Sequence, residues 1–447
     1  MCRRRLAGSI LSDNLGMSRI SHSERPDTTA AGTAENTAEG QRHRMLRWNW
    51  RRGKPTAGNT VRLLHGGQDF FPALIAAIDQ AVFQVVLETY IYADDDIGRA
   101  VSDALIRAAA RGVSVRVTVD GFGAGDMPAA MAERLGAGGV QLRVYRKLRG
   151  FRLARRHLRR LHRKLAVIDG QVAFVGGINI IDDLNHGPFE GASLGPRYDF
   201  AVQVSGPLVD RIALTAERLW WRLALRDTHG SGRAAAVADY PLLTDLPPRA
   251  EPTGGVRAAL LLRDNLRNRR TIEREYLRAL GAARQEVILA NAYFLPGHKM
   301  RRALLACRQR GVRVRLLLQG MVEYRLQHYA THALYASLLE AGVEIYEYAE
   351  SFLHAKVGVV DEAWATVGSS NMDPFSLLLA REANVAVYDA AFAAELRTAL
   401  ERAIAHRSVR VMPEVHARRS PLHRLANWTA YMLLRLGVII AGVTGRY

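Results

Sequence analysis

The sequence predicts an α/β protein built from two copies of one unit, and three observations carry that prediction. A His-x-Lys motif occurs twice. Glycines and asparagines recur around each copy at matched offsets. In both copies, apolar strand-like runs alternate with stripes at helical spacing.

The first copy opens on FQVVLETYIY, a run of β-branched and aromatic residues that predicts a strand. A helix follows, with Val101, Ala104, Leu105 and Ala108 on one face, and VSVRVTVDG predicts the next strand. Then comes HRKLAVIDG, beginning at His162. Side chains alternate across a strand, so His162 and Lys164 share one face while Arg163 and Leu165 share the other. DFAVQV, opening on Asp199, predicts a further strand. The second copy repeats the order: EVILANAYF, a stripe of Met300, Ala303, Leu304 and Cys307, then VRVRLLLQG, HAKVGVVD from His354, and EANVAV from Glu382. The helical stripes read as core packing and locate the fold, not the chemistry.

The offsets turn a weak motif into a strong one. His162, Lys164 and Asp169 match His354, Lys356 and Asp361, and 17 residues beyond each histidine stands an asparagine, Asn179 or Asn371. Gly98 to Gly112 spans 14 residues, as does Gly297 to Gly311, and 9 residues further stand Gly121 and Gly320. One His-x-Lys alone would read as a solvated strand end. Two in equal surroundings mark an internal duplication.

With 447 residues, 49% of them hydrophobic, the chain can bury two substantial cores. The halves are expected at residues 60–228 and 256–415, joined by a Gly-, Pro- and Ala-rich linker at 229–255. Residues 1–45 are polar and expected to be disordered; they lack the apolar core of a secretory signal, and Met17 or Met45 would serve equally as a start. Cys2 and Cys307 alone exclude a disulfide framework or a thiolate metal site.

The formal net charge is +19, and from Arg143 to Lys164 there are eleven Lys or Arg and no acid. Such a run predicts a surface that attracts a polyanion, with anionic lipid and nucleic acid both open. Residues 416–447 are expected to form a basic and apolar membrane-contacting segment. Its LANWTAYMLLRLGVIIAGV carries only Arg435 as a formal charge and borders the length of a span, with Trp428 and Tyr431 as interfacial anchors and Arg418, Arg419, Arg424 and Arg446 flanking it. A helix or short hairpin against the membrane is expected.

Two His-x-Lys faces meeting across a pseudo-twofold interface would place four basic groups in one pocket, suited to an anionic phosphate. Lys164 and Lys356 would neutralise its non-bridging oxygens, and Asn179 and Asn371 would donate further hydrogen bonds. One neutral imidazole would attack phosphorus while the other, protonated, serves the leaving alcohol and later the incoming one. A carboxylate on the second ring nitrogen would orient a histidine, and Asp199 and Glu382 stand at matching points of the copies. Asp169 and Asp361, at an odd offset from their histidines, would face away and read as supports. Glu88, Thr89 and Tyr90 either line the site or support it.

HRKLAVIDGQVAFVGGIN and HAKVGVVDEAWATVGSSN resemble the paired H-x-K-x4-D motifs of the phospholipase D superfamily. ETYIYADDDIGRA, ANAYFLPG, AGVEIYEY and SSNMDPFSLLLAREANV resemble bacterial cardiolipin synthases of the B type, over about residues 60–415. The resemblance implies two phospholipase D-like α/β sandwich halves with the active site at their interface. It implies His162, Lys164, Asp169, His354, Lys356 and Asp361 as the catalytic set, working without metal or cofactor. It also implies a ping-pong phosphatidyl transfer that makes cardiolipin through a phosphatidyl-histidine, with phosphatidylglycerol as donor and a second phosphatidylglycerol or phosphatidylethanolamine as acceptor. The expected location is the bacterial inner membrane, held peripherally or by a shallow anchor on the cytoplasmic face. GMVEYRLQHYATH, after the second-copy strand, departs from the family pattern. A phospholipase D-type hydrolase or a nucleic-acid phosphodiesterase of the superfamily would use the same histidines. The second would leave the apolar C-terminal segment without a task, so nucleic acid is not an expected partner. A non-catalytic lipid-binding protein would need no such pairs.

Overall fold

The computed structural model describes residues 53–125, 127–146, 159–186, 194–227, 255–264, 268–373 and 380–440. The expected tail at 1–45 and, apart from Gly255, the expected linker lie outside these residues.

The first half contributes strands β1 Thr56–His65, β2 Gln84–Thr89, β3 Ser114–Asp120, β4 Gln141–Tyr145, β5 Arg160–Leu161, β6 Lys164–Ile168, β7 Val172–Gly176 and β8 Phe200–Ser205. The second contributes β9 Val256–Arg263, β10 Glu286–Asn291, β11 Arg313–Gln319, β12 Glu344–Tyr348, β13 Lys356–Val360, β14 Trp364–Gly368, β15 Ala380–Tyr388 and β16 Ser408–Arg410. In space the first half runs β1-β8-β7-β6-β2-β3-β4 and the second β9-β15-β14-β13-β10-β11-β12, with β16 added at the edge. The duplication is thus one of topology as well as sequence. The halves meet where β1 pairs antiparallel with β9. The sets β2-β3-β4 and β10-β11-β12 are parallel, which requires helical crossovers; β6 and β13 pair antiparallel with their neighbours.

Strands such as β6 and β13 are buried at every position, so both sheet faces need cover. On the outer face of the first half, helices Gly66–Asp79 and Asp96–Ala110 bury Phe70, Leu74, Val101 and Leu105. Helices Thr271–Ala282 and His298–Gln309 do the same in the second with Tyr276, Met300 and Leu304. On the inner face the halves share one core: Leu165 and Val202 join Val357 and Val385, with Ile212 and Leu396 from helices Leu208–Asp227 and Ala390–His406. At about 1.5–3 kcal/mol per fully buried aliphatic side chain, this shared core binds the halves strongly.

The landmark glycines have different causes. Gly112 and Gly311 end helices at φ of +87° and +81°, where a side chain would be strained. Gly98 lies inside the first helical turn, where a Cβ would stand 1.9 Å from the Ala93 carbonyl oxygen, whereas Gly297 precedes its helix.

Several described members of the basic run face inward or onto rings: Arg143 lies 4.7 Å over Trp220, Arg160 is 3.8 Å from Asp120, and Arg163 is buried. Residues 147–158 of the run lie outside the described residues. Of the helix or short hairpin expected at the C-terminus, the described part is a continuous helix, Pro421–Ile440. It lays Asn427, Ala430 and Leu434 on the protein and leaves Leu422, Leu425, Trp428, Leu433 and Leu436 exposed. No described helix is long and apolar enough to cross a membrane.

Candidate active site

Each histidine is delivered by a short parallel pairing with the opposite half. Arg160 and Leu161 of β5 pair with Ala380 and Arg381 of β15, and His162 N donates to the Arg381 carbonyl at 3.0 Å. The next residues along, His162 and Glu382, therefore stand abreast. On the other side Tyr198 bridges Leu353, and His354 N donates to the Tyr198 carbonyl at 2.9 Å, which sets His354 beside Asp199. His162 Nδ1 lies 3.1 Å from both carboxylate oxygens of Glu382, and His354 Nδ1 lies 2.6 Å from Asp199 Oδ2. With Nδ1 engaged, Nε2 of each ring is the nitrogen left for a substrate.

The lysines are tied to the same segments. Lys164 Nζ donates to the His162 carbonyl at 2.8 Å, and Lys356 Nζ donates to that of His354. Lys356 is also 4.0 Å from Asp199 Oδ2. The Tyr90 ring packs edgewise on His162 at 4.8 Å, with Lys164 5.3 Å from its centroid.

The carboxylates are held differently. Glu382 accepts from Ser369 Oγ at 2.6 Å, and that hydroxyl accepts from Ala383 N at 3.1 Å. Ser369 and Gly177 occupy corresponding places, directly after β14 and β7. A Cβ on Gly177 would stand 2.3 Å from Asp199 Oδ1, so the shorter carboxylate fits only against a bare backbone. The longer one reaches a hydroxyl.

Burial dominates the electrostatics. It pulls Lys164 down to about 7 and Lys356 to about 8, against the pull of Glu382 and Asp199. Burial, with the lysines, also lowers both imidazoles; Glu382 opposes this at His162, while His354 falls well below the ordinary range. Asp199 is pushed up to about 6 by burial, against the pull of Lys356. Burial acts the same way on Glu382, but His162, Lys164 and Ser369 hold it below the usual range. Burial thus works against the charged form of both imidazoles, and a phosphate anion would restore proton affinity to imidazole and ammonium alike.

Asp169 and Asp361, included in the catalytic set by resemblance, stand in turns at the far ends of β6 and β13 with φ of 50° and 52°. Asp169 accepts from the backbone N–H groups of Val82, Phe83 and Gln84 at 2.9, 2.8 and 2.7 Å, and Asp361 from Arg284, Gln285 and Glu286 at 2.9 Å each. They anchor loops and do not reach the histidines. Asn179 Oδ1 accepts from Ile91 N at 3.1 Å, while Asn371 Oδ1 is buried with no partner among the described residues. Thr89 donates to the Ile91 carbonyl at 2.8 Å, which helps turn the chain out of β2 before the end of the expected strand. Glu88 is a support: it forms a buried ion pair with Arg163, with Nη2 to Oε1 at 2.7 Å. The register puts Ala290 and Ala355 at these two places in the second half, so both partners are replaced together.

Sequence reading missed Gly177 and Ser369, although GGIN against GSSN held the signal. It also missed Asp120 and Gln319, which precede the matched Gly121 and Gly320. Asp120 Oδ2 accepts from Leu161 N at 2.7 Å and Gln319 Oε1 from Leu353 N at 3.2 Å, each clamping the residue before a histidine.

Duplicated α/β halves that bring two His-x-Lys faces together define a phospholipase D-like protein. Residues 74–187 and 276–404 match the family described as cardiolipin synthase, PLD-like domain, and the chain belongs to that family. It is 37% identical over 372 residues to cardiolipin synthase B of Escherichia coli K12, covering 80% of this chain and 83% of that one. To cardiolipin synthase A of Pseudomonas putida GB-1 it is 33% identical over 75% of this chain and 67% of that one. The crystal structure of phosphatidylserine synthase from Haemophilus influenzae Rd KW20 shares the fold, with a TM-score of 0.61 at 14% identity over 91% of this chain and 98% of that one.

Proposed function

We propose that the protein is a phosphatidyltransferase that makes cardiolipin from two molecules of phosphatidylglycerol at a bacterial membrane. The observation that carries this reading is the engagement of each Nδ1 by a carboxylate of the opposite half, which leaves two Nε2 atoms and two lysines for one phosphodiester.

His162 Nε2 bonds to the donor phosphorus as the bond from phosphorus to the glycerol oxygen breaks, and His354 gives that oxygen a proton. Glu382, kept ionised, stabilises the positive phosphohistidine ring. The acceptor's terminal hydroxyl oxygen then bonds to phosphorus, the P–N bond to His162 breaks, and the hydroxyl proton passes to His354 Nε2. Lys164 and Lys356 neutralise the non-bridging oxygens throughout, with Asn179 and Asn371 as amide donors. Phosphatidylethanolamine is the alternative acceptor. The exposed apolar side of helix Pro421–Ile440 lies on the membrane surface and holds the protein there peripherally, on the cytoplasmic side.

The test is product analysis on phosphatidylglycerol vesicles. One glycerol should be released per cardiolipin formed, and added glycerol should reverse the reaction because one phosphodiester replaces another. Phosphatidic acid as the main product at every acceptor density would make the protein a hydrolase instead.

A further inference from the structure

The two halves treat their histidines differently. Ala292 is the counterpart of Tyr90, since each stands two residues past a matched pair in the register, Glu88 with Leu165 and Ala290 with Val357. The Tyr90 ring packs on the His162 imidazole with centroids 4.8 Å apart and planes at 62°. In the second half Ala292 N donates to the Ala355 carbonyl at 3.0 Å, and a methyl group stands beside the segment of His354.

The ring is held from behind. A Cβ on Gly123 would stand 2.7 Å from two carbons of the ring and 2.5 Å from the Tyr90 carbonyl oxygen, so the loop after β3 lies against this residue through bare backbone. Asp120 fixes that loop. Its Oδ1 accepts from Phe122 N at 2.8 Å and Gly123 N at 3.3 Å, while Oδ2 accepts at 2.7 Å from the N–H of Leu161, the residue before His162. One buried carboxylate thus ties the backing of the ring to the strand that delivers the histidine. Gln319, at the corresponding place, offers the same clamp to Leu353 N but has no ring to back.

The ring also serves the lysine. Lys164 Nζ lies over its face, 5.3 Å from the centroid, where the negative face of the π-system favours a cation. Lys356 pairs with Asp199 at 4.0 Å, and Lys164 has no such pair among the described residues. Of the charged groups around Lys164, Glu382, Asp199 and Asp120 favour its ammonium form, Lys356 opposes it, and both imidazoles lie within its field. Tyr90 adds no charge of its own, because burial keeps its hydroxyl protonated.

We propose that Tyr90 is a positioning residue: its ring fixes the attacking imidazole and gives the Lys164 ammonium the support that a carboxylate gives Lys356. The proposal rests on the reading of His162 as the covalent histidine. Glu382 meets Nδ1 with both oxygens at 3.1 Å, which fixes one ring atom and leaves the imidazole able to tilt about it. The Tyr90 contact stops the tilt and keeps Nε2 in line with the bond to be broken, as attack on phosphorus requires.

The experiment uses the full chain on vesicles of phosphatidylglycerol labelled in its phosphatidyl part. Samples are quenched within the first turnover at subsaturating lipid, and the rate constant for label on His162 is followed against pH. In Tyr90→Leu the rate constant should fall by about tenfold or more. Its alkaline limb should move down by about half to one pH unit, because losing a cation–π contact lowers the proton affinity of the lysine. Tyr90→Phe, which keeps the ring, should restore both. Neither a rate constant nor a limb depends on how much protein folds. A limb that stays in place in Tyr90→Leu overturns the proposal whatever the rate does, since a packing defect slows labelling without moving a titration. Tyr90→Phe behaving like Tyr90→Leu would assign the effect to the hydroxyl and overturn it as well. In both cases label on wild-type His162 leaves the covalent reading standing. Wild-type label on His354, or none, overturns that reading and the proposal with it.

Discussion

His162 is oriented by Glu382, a residue 220 positions away in the other half, through contacts of 3.1 Å to both carboxylate oxygens. His354 is held reciprocally by Asp199, so neither half contains a complete histidine-carboxylate pair of its own. An exchange of this kind makes the active site a property of the interface.

The cross-pairing separates the effects of two conservative substitutions. Protein quenched with labelled lipid should carry the label on His162. Glu382→Gln should slow that labelling, whereas Asp199→Asn should permit labelling with a good leaving group and stall the second step. Each loss should be about 100-fold or more in the affected step, the scale of positioned acid-base catalysis. Label on His354, with the two substitutions exchanging effects, would reverse the assignment.

Lysine charge should shape the pH profile. Both ammonium groups must be protonated to neutralise the phosphate, and burial has brought Lys164 to about 7 and Lys356 to about 8. A depressed lysine is charged only below its lowered value, so kcat/KM should fall as pH rises through this window. A bound phosphate raises both values, so the alkaline limb of kcat should lie at higher pH. A kcat/KM that climbs steadily to pH 9 would show that the charges are not needed.

The Glu88–Arg163 pair should prove a liability when halved. Arg163→Ala leaves Glu88 buried and uncompensated, at a cost of about 3–5 kcal/mol in urea unfolding. Adding Glu88→Ala imitates Ala290 and Ala355 of the second half and should recover at least about 1 kcal/mol. Strictly additive losses would argue that the pair has no coupled role.

Vesicle binding should reside in the outward side of the last helix. Changing Leu425, Trp428 and Leu436 to serine touches residues that are exposed on the protein, so folding should be kept. Binding to neutral vesicles in high salt should fall by about tenfold or more, because apolar burial is not screened. Binding that survives these changes would place the anchor elsewhere.

The strand and helix order was readable because apolar periodicity is local. VSVRVTVDG and VRVRLLLQG became β3 and β11, and Val101, Ala104, Leu105 and Ala108 all face the core. The odd offset of Asp169 from His162 already argued against a place in the pocket, and the structure puts it in a loop-anchoring turn. Glu88 resisted assignment because its role depends on Arg163, which pairs with it across two strands. Part of the basic run also serves the fold: several of its arginines end on Trp220, Asp120 or Glu88, contacts that charge density along the chain does not encode.

The sequence by itself determined the duplication, the α/β alternation and the residue types of the site, since repeated offsets and strand parity are properties of the chain in one dimension. Only the tertiary structure decided which carboxylate serves which histidine. The β5 to β15 ladder and the Tyr198 to Leu353 bridge join segments from opposite halves, and a register between distant strands is set by hydrogen bonding and by a core that both halves bury together. The same holds for the asymmetry of the pocket. Tyr90 against Ala292 and Asp120 against Gln319 look like ordinary drift between repeats until folding sets each beside a histidine. There one histidine has a ring against it, and the segment of the other has a methyl group beside it.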